Sequence, residues 1–328
     1  MIFEYPDLVR SFSCIADRCP DTCCRGWEVD IDSETGQYYR SVEGPFGERL
    51  RRALSVSDED GSTYIPLTEN GDCPFLTKAG LCTIITELGE AAISRVCTEY
   101  PRYFVQIGGY EQMDMSLSCM EYGQIFFAAG PMHLIRTERE VAGDEMEEED
   151  AEYLRSILQF RNEAVSVMQD GDGTWRERLA AVGQALTGDE TRGWLPGLSE
   201  DEQLLQRVRS LELLDERWEG IMDEVEALGS AKTSGETSFG NEEQTDRWFT
   251  KLSVYFLFRY MIDSYFDGGG DGVIRFTSRS LRYIWLMCRA RARRLGRMLT
   301  DEDLIDIAHL YSRQVEHSEE NVAVMKGL

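Results

Sequence analysis

The distribution of cysteine constrains this chain more than any other feature. Nine of its 328 residues are cysteine, and Cys288 is the only one beyond position 119. The other eight are Cys14, Cys19, Cys23, Cys24, Cys73, Cys82, Cys97 and Cys119. A secreted disulfide scaffold would be shorter, whereas clustered cysteines in a reducing compartment more often bind metal. All eight are therefore candidate metal ligands.

Composition and charge narrow the compartment and the partners. The content of 42% hydrophobic and 29% charged residues is that of a globular protein. We expect a cytoplasmic protein, because there is no signal-peptide pattern and no apolar run long enough to cross a bilayer. With 34 basic and 60 acidic residues, the net charge is −26. Such a field repels phosphate backbones and anionic lipids, so we expect no nucleic-acid and no membrane partner. A lysine-bearing protein would be attracted.

The chain divides into two compositional regions. Residues 1–135 combine the cysteines with short segments broken by Gly and Pro, and a hairpin is predicted to turn at Gly108-Gly109. An acidic cluster, Asp144 to Asp150, precedes a helix predicted to begin near Ala151. Residues 136–328 are helical in pattern, and 246–266 are apolar almost all round, which predicts a buried central helix. The expected fold is α+β and mostly helical, with an irregular Cys-rich metal-binding domain packed on an all-α domain.

The cysteine spacing indicates a kind of centre without defining its ligands. Four thiolates complete a tetrahedral zinc site or a [4Fe–4S] cluster. The C-x2-C knuckles of zinc ribbons are absent, and the radical motif C-x3-C-x2-C fails because Gly26 holds its third place. An iron–sulfur centre is therefore favoured, with zinc as the alternative. Adjacent side chains point apart, so Cys23 and Cys24 can serve different centres.

Several segments resemble the flagellin lysine-N-methylase (FliB) family, within a broader group of cysteine-rich zinc- or iron-chelating proteins. The segments are FSCIADRCPDTCCRGWEVDID, CPFLTKAGLCTIITELGEAAISRVCTEYPR, SLSCMEYG, VYFLFRYMIDSYFDG and YSRQVEHSEENVAVM. The resemblance implies methyl transfer from S-adenosylmethionine to surface lysines of flagellin, with a non-radical [4Fe–4S] centre. The alternative is an iron–sulfur or zinc protein of the chelating group that transfers no methyl group.

Two short motifs carry the candidate catalytic residues. Tyr100 and Arg102 follow Cys97, and the closing motif contains Glu316 and His317 with Arg313 and Asn321 beside them. Arg102 either binds a carboxylate or forms a structural salt bridge, and the closing motif either acts in catalysis or docks the last helix. The Gly-rich loop of a Rossmann site is absent. The residues that bind the cofactor are therefore left unassigned.

Overall fold

The structure is a computed structural model that describes residues 1–58, 60–140, 146–188, 201–230 and 238–327. Part of the predicted acidic cluster, Asp144 included, lies outside these residues. The strands are β1 (Ile2–Pro6), β2 (Val29–Ile31), β3 (Ser55–Val56), β4 (Thr63–Ile65), β5 (Arg102–Ile107), β6 (Tyr110–Met115) and β7 (Leu134–Glu138).

Helices account for most of the described chain. The first five are α1 (Ser33–Ser41), α2 (Gly44–Ala53), α3 (Thr83–Leu88), α4 (Arg95–Glu99) and α5 (Met120–Ala128). The later ones are α6 (Glu148–Asp170), α7 (Trp175–Thr187), α8 (Asp201–Arg209), α9 (Arg217–Ser230), α10 (Glu242–Tyr260), α11 (Ser264–Asp267), α12 (Asp271–Leu295), α13 (Asp301–Val315) and α14 (Glu319–Lys326). No described helix is both long and apolar enough to cross a membrane.

The main sheet has four strands in the order β5-β6-β1-β7. Strand β1 runs parallel to β6 and antiparallel to β7. The predicted hairpin is confirmed, because β5 and β6 pair from Arg102↔Met115 to Ile107↔Tyr110. Gly108 has a φ of 53° in the connecting turn, a conformation that glycine adopts without steric cost.

The part of the chain between β1 and β5 folds into a smaller unit. Strands β2, β4 and β3 make an antiparallel sheet, and α1 to α4 flank it. This unit has a hydrophobic cluster of its own, separate from the main core, which contains Val29, Ile31, Tyr39, Leu50, Ile65, Cys73, Phe75, Ile84 and Ala92. The Cys-rich segment is therefore a compact insertion between two strands of the main sheet.

The predicted central helix is confirmed over most of its length as α10, which ends at Tyr260; the rest of the predicted range is a 3-10 turn and α11. Every residue from Leu252 to Tyr260 is buried, so the helix has no solvent face there. Helix α6 is fastened to the main sheet by Arg161, whose guanidinium donates to Glu4 at 2.7 Å and to Tyr110 at 2.8 Å. Removing such a side chain from a fully buried position would leave its partners unsatisfied.

The expected α+β, mostly helical fold is confirmed, with every described strand before residue 139. The predicted boundary at residue 135 lies inside β7, which pairs with β1, so the division into 1–135 and 136–328 stays a prediction. The helix expected near Ala151 begins at Glu148, and Asp150 therefore lies in its first turn, not at its cap.

Residues 201–228 are helical in sequence pattern throughout, but they form two helices with a break between them in the structure. The chain between α8 and α9 is captured by side chains of the closing motif. Gln314 accepts from the Leu214 and Asp215 amides at 3.0 and 3.1 Å, and Asn321 accepts from the Glu212 amide at 2.7 Å. These bonds offer the backbone an alternative to the helical pattern. Asn321 thus has a structural task.

Candidate metal-binding segment and active-site cleft

Four thiols meet on the core of the smaller unit. Cys24, Cys73, Cys82 and Cys97 all pack against its hydrophobic cluster. The Cys73 amide donates to the Cys24 carbonyl at 2.8 Å, which pins the double-cysteine loop to the loop after β4. The Cys97 thiol interacts electrostatically with the other three. We call these four residues the inner thiol group.

The other thiols of the Cys-rich segment form a second set. Cys119 precedes α5 and interacts electrostatically with Cys19 and Cys14. Cys23 hydrogen-bonds Cys24 and also interacts with Cys14, so its side chain lies between the two sets. We call Cys14, Cys19, Cys23 and Cys119 the outer thiol group. Because Cys23 and Cys24 hydrogen-bond each other, their assignment to different centres stays a prediction.

Backbone amides surround several of the sulfur atoms. The Cys73 sulfur accepts from the Phe75 and Leu76 amides, and the Cys82 sulfur from those of Ile84 and Ile85. These bonds favour the thiolate, but burial opposes them and has the larger effect. Burial raises the pKa of Cys73 to about 11, so a metal ion would displace its proton on binding.

The number of cysteine thiols fits a metal centre bound by thiolates. The positions of these side chains, however, do not form a closed set of ligands. Each group offers four thiols, the number that a [4Fe–4S] cluster or a tetrahedral zinc ion takes. Across the described residues, no three Cys, His, Asp or Glu side chains converge closely enough to hold a metal ion. Closing either group into a ligand sphere would therefore require the sulfur atoms to draw together. Cys288 is excluded from both groups because it is fully buried in α12.

A charged cluster fastens the cysteine loop to the helical part of the chain. Asp21 accepts from His309 and Arg217, both at 2.8 Å. Burial opposes ionisation of Asp21, but the hydrogen bond from His309 and the nearby arginines outweigh it and lower its pKa well below the usual range. Arg313 donates to the Arg25 carbonyl at 2.9 Å. The closing motif was expected either to act in catalysis or to dock the last helix. This contact of Arg313 supports docking onto the Cys-rich segment.

A cavity of about 400 Å³ lies between the smaller unit and the main sheet. Aromatic rings form one wall, since Trp27 lies 6.2 Å from Tyr100 and Tyr103 lies 6.2 Å from His317, centroid to centroid. The Trp27 indole donates to the Cys23 carbonyl at 2.7 Å. The outer thiol group is therefore linked to the cavity through one side chain.

Carboxylates also line the cavity. Asp30, Asp32 and Glu99 all line it. Asp32 caps α1 and accepts from the Thr35 and Arg95 amides, and these bonds lower its pKa to about 2. Asp32 is thereby committed to structure, and Glu99 lies 3.8 Å from Arg95. Asp30, which is exposed and forms no ion pair with a described residue, is left to face a ligand. Aromatic rings together with carboxylates favour a cation, and Arg95 and Arg102 line the same cavity.

His317 supplies a neutral imidazole to the cavity. Its side chain is exposed at the cavity, and the Tyr100 and Tyr103 rings lie 6.4 and 6.2 Å from it, centroid to centroid. Burial, followed by the charges of Arg259 and Arg313, lowers the pKa of His317 to about 4. Its two nitrogens lie 2.8 Å from the Ser118 hydroxyl and 3.3 Å from the Tyr103 hydroxyl. At neutral pH the ring can therefore accept as well as donate a hydrogen bond.

We expect His317 to protonate well below the ordinary histidine range of about 6.5. The folded-state pKa is the lower one, so its contribution to stability is present above pH 6.5 and is lost as the pH falls through 4. A pH titration of imidazole resonances by NMR measures this directly, since the chain has three histidines. The variant His317→Gln assigns the signal. A midpoint near 6.5 would contradict the expectation.

A buried ion network lies beneath the cavity. Arg259 contacts Asp114 at 2.6 Å and Glu316 at 3.1 Å, and all three side chains are at most 8% exposed. The hydroxyls of Tyr255 and Tyr260 donate to Glu316 at 2.8 and 2.9 Å. Burial raises the pKa of Asp114 to about 6 although Arg259 opposes the shift. The guanidinium also lies 3.7 Å from the Tyr103 ring centroid, which couples the network to the cavity wall.

The structure thus brings together three of the four candidate catalytic residues. Tyr100, Arg102 and His317 line one cavity, whereas Glu316 lies beneath it in the ion network. Sequence reasoning missed Trp27 and Tyr103, which complete the aromatic wall. Tyr103 directly follows a motif that was singled out, so its neighbourhood was a usable signal. Trp27 and His317 are too far apart in the sequence for any motif spacing to predict that they line the same cavity.

Comparison with known proteins locates the similarity in the C-terminal part. The family model described as the FliB lysine N-methylase C-terminal domain matches residues 191–328. The flagellar biosynthetic protein FliU of Salmonella muenchen is 28% identical over 120 residues, which are 35% of this chain and 71% of that protein.

Two proteins named lysine-N-methylase are also similar, one from Salmonella typhimurium (strain LT2) and one from Salmonella choleraesuis (strain SC-B67). Each is 27% identical over 121 residues, which are 35% of this chain. The match spans 30% of the length of either lysine-N-methylase. No solved structure matches this chain.

Proposed function

We propose that this protein is a protein-lysine N-methyltransferase, because residues 191–328 match the model of the FliB lysine N-methylase C-terminal domain. The observation that assigns the proposal to a site is the cavity that Trp27, Tyr100, Tyr103 and His317 line together with acidic side chains. A lysine side chain presents a cationic tip on an apolar stem, which suits aromatic walls and carboxylates together.

The residues of the cavity have separate tasks in this proposal. Asp30 and Glu99 attract the lysine ammonium ion, and the aromatic rings exclude water from its stem. Desolvation lowers the pKa of a lysine, which favours the neutral amine needed for attack. The Asp30 side chain is exposed, so it can take the proton and pass it to water. Neutral His317 gives up its longer contact with the Tyr103 hydroxyl, at 3.3 Å, to accept a hydrogen bond from the amine and orient its lone pair.

We propose S-adenosylmethionine as the methyl donor and flagellin as the acceptor protein. The sulfonium supplies the methyl group: the N–C bond forms as the C–S bond breaks, and sulfur keeps the electron pair as a thioether. The aromatic and acidic walls suit a sulfonium for the same reason that they suit an ammonium. We place the reaction in the cytoplasm, where free thiols stay reduced.

We further propose that the inner thiol group holds a [4Fe–4S] centre, with zinc as the alternative. Cys24, Cys73, Cys82 and Cys97 share one small hydrophobic core, whereas Cys14 of the outer group is exposed. Burial limits solvent access to a cluster and is one of the means by which proteins tune it. When bound, the centre would brace α3 and α4, and α4 lines the cavity through Arg95 and Glu99.

The activity is tested with anaerobically purified, metal-loaded protein, flagellin and methyl-labelled S-adenosylmethionine. We expect mass spectrometry to find methylated lysines. Replacing Trp27 with leucine removes one aromatic face, and a cation–π contact is worth about 1 kcal/mol. The KM for the acceptor should therefore rise about fivefold. The matched control Trp248→Leu alters a buried tryptophan of α10 outside the cavity.

Lack of methyl transfer by the wild-type protein in a folded and metal-loaded sample would overturn the proposal. Binding of S-adenosylmethionine by calorimetry separates the remaining cases. If neither binding nor transfer is found, the metal-binding protein without methyltransferase activity becomes the better description.

A further inference from the structure

A second cavity continues the first one along the main sheet. It has a volume of about 570 Å³ and shares Arg95, Glu99, Arg102 and Tyr103 with the aromatic cavity. The shared walls make the two cavities parts of one cleft. We call the second part the arginine half, because Arg95, Arg102 and Arg139 line it.

The arginine half has positive charge to offer to a ligand. Arg139 donates to Glu111 at 2.7 Å, and Arg95 lies 3.8 Å from Glu99. Arg102 differs from both, since no described residue forms an ion pair with it, and its guanidinium lies 5.3 Å from the Phe12 ring centroid. An arginine fork without a carboxylate is an anion-binding group. Of the two interpretations of Arg102, the described contacts favour carboxylate binding over a structural salt bridge.

The arginine half lies beside an open sheet edge. Strand β5 is the terminal strand of the main sheet, and β6 is its only partner among the described strands. Arg102, Tyr103 and Phe104 of this strand line the cavity, and Phe104 is 40% exposed. An unpaired strand edge with an exposed aromatic side chain is a surface on which an extended peptide can dock.

We propose that the cleft recognises an extended acceptor segment in which an acidic side chain lies close to the target lysine. The lysine enters the aromatic cavity, the acidic side chain binds Arg102, and the segment follows the edge of β5. The positive charge of Arg102 is complementary to an acidic side chain of the segment. The protein as a whole has a net charge of −26 and would otherwise repel acidic segments. The proposal rests on the proposed lysine methylation and names the kind of lysine that is chosen.

The test uses fluorescent peptides of about twelve residues with one central lysine in a Gly/Ser/Thr background. A single aspartate is placed at each of the four positions before and after the lysine, and each peptide is paired with one that has asparagine there. Fluorescence anisotropy measures binding to the metal-loaded full-length protein. We expect aspartate at one or two positions to strengthen binding about tenfold over asparagine, the effect of one charge-assisted hydrogen-bonded pair.

The variant Arg102→Gln should bring the aspartate-to-asparagine ratio of affinities close to one. The control Arg52→Gln alters an exposed arginine on α2 that pairs with Glu48, and it should keep the wild-type ratio. Equal binding of the two peptides at every position, or binding of neither, would overturn the inference. Equal binding with methylation of both would leave the proposed function standing. An aspartate preference without any methylation would contradict the proposed function and support the recognition alone.

Discussion

Replacing Cys97 with serine is expected to remove nearly all of the iron that the protein binds. Serine keeps the size of the side chain but takes away a thiolate that a [4Fe–4S] cluster requires. The wild-type protein, purified without oxygen, should carry about four irons per chain and absorb near 400 nm. For Cys97→Ser we expect less than about a tenth of that iron, measured by metal analysis of the same folded sample.

Two further serine variants make this test specific to the inner thiol group. Cys119→Ser changes the outer group, which interacts with Cys14 and Cys19, and should leave the iron in place. Cys288→Ser changes a fully buried thiol of α12 and controls for serine in a protein core. Loss of iron from Cys119→Ser but not from Cys97→Ser would move the cluster to the outer group. Zinc without iron in the wild-type protein would contradict the iron–sulfur assignment altogether.

Replacing Arg259 with leucine is expected to lower the free energy of unfolding by about 3–5 kcal/mol, the usual cost of leaving a buried charge without its partner. The reason is that Asp114 and Glu316 would both lose the guanidinium that lies between them. Urea denaturation at neutral pH, followed by circular dichroism, measures the change. The two carboxyl groups would then have to be protonated or solvated within the core.

The matched control is Arg155→Leu, which breaks an exposed pair with Glu148. Exposed pairs contribute about 0–1 kcal/mol, so this variant should be close to the wild-type protein. Adding Glu316→Gln to Arg259→Leu removes one orphaned charge and should recover part of the loss. A loss below about 1 kcal/mol for Arg259→Leu would show that the network is not a source of stability.

Local pattern was enough to predict several of the elements but not the cleft. The hairpin at Gly108-Gly109 and the buried helix α10 follow from turn chemistry and from apolar residues on every side. Each of these two elements is determined by a sequence pattern within about twenty consecutive residues. The break between α8 and α9 was missed because side chains about 100 residues away, on Gln314 and Asn321, make the bonds that cause it.

The site was predicted in part for the same reason. Tyr100, Arg102 and His317 were found from two motifs, and the fold places them together. Trp27 and Asp30 complete the cavity only because the smaller unit folds back against the main sheet. The division of eight cysteines into an inner and an outer thiol group likewise depends on tertiary packing. Spacing along the chain carries no information about it.

The insertion between β1 and β5 has a consequence for the order in which the molecule assembles. Closing the main sheet joins Ile2 to Tyr110, a contact across more than a hundred residues, and such contacts form slowly. The smaller unit depends on much shorter separations and contains every member of the inner thiol group. The outer group, in contrast, must wait for Cys119, which follows β6. One set of thiols can therefore be gathered early, while the chain is still growing, and the other only once the sheet has closed around β1.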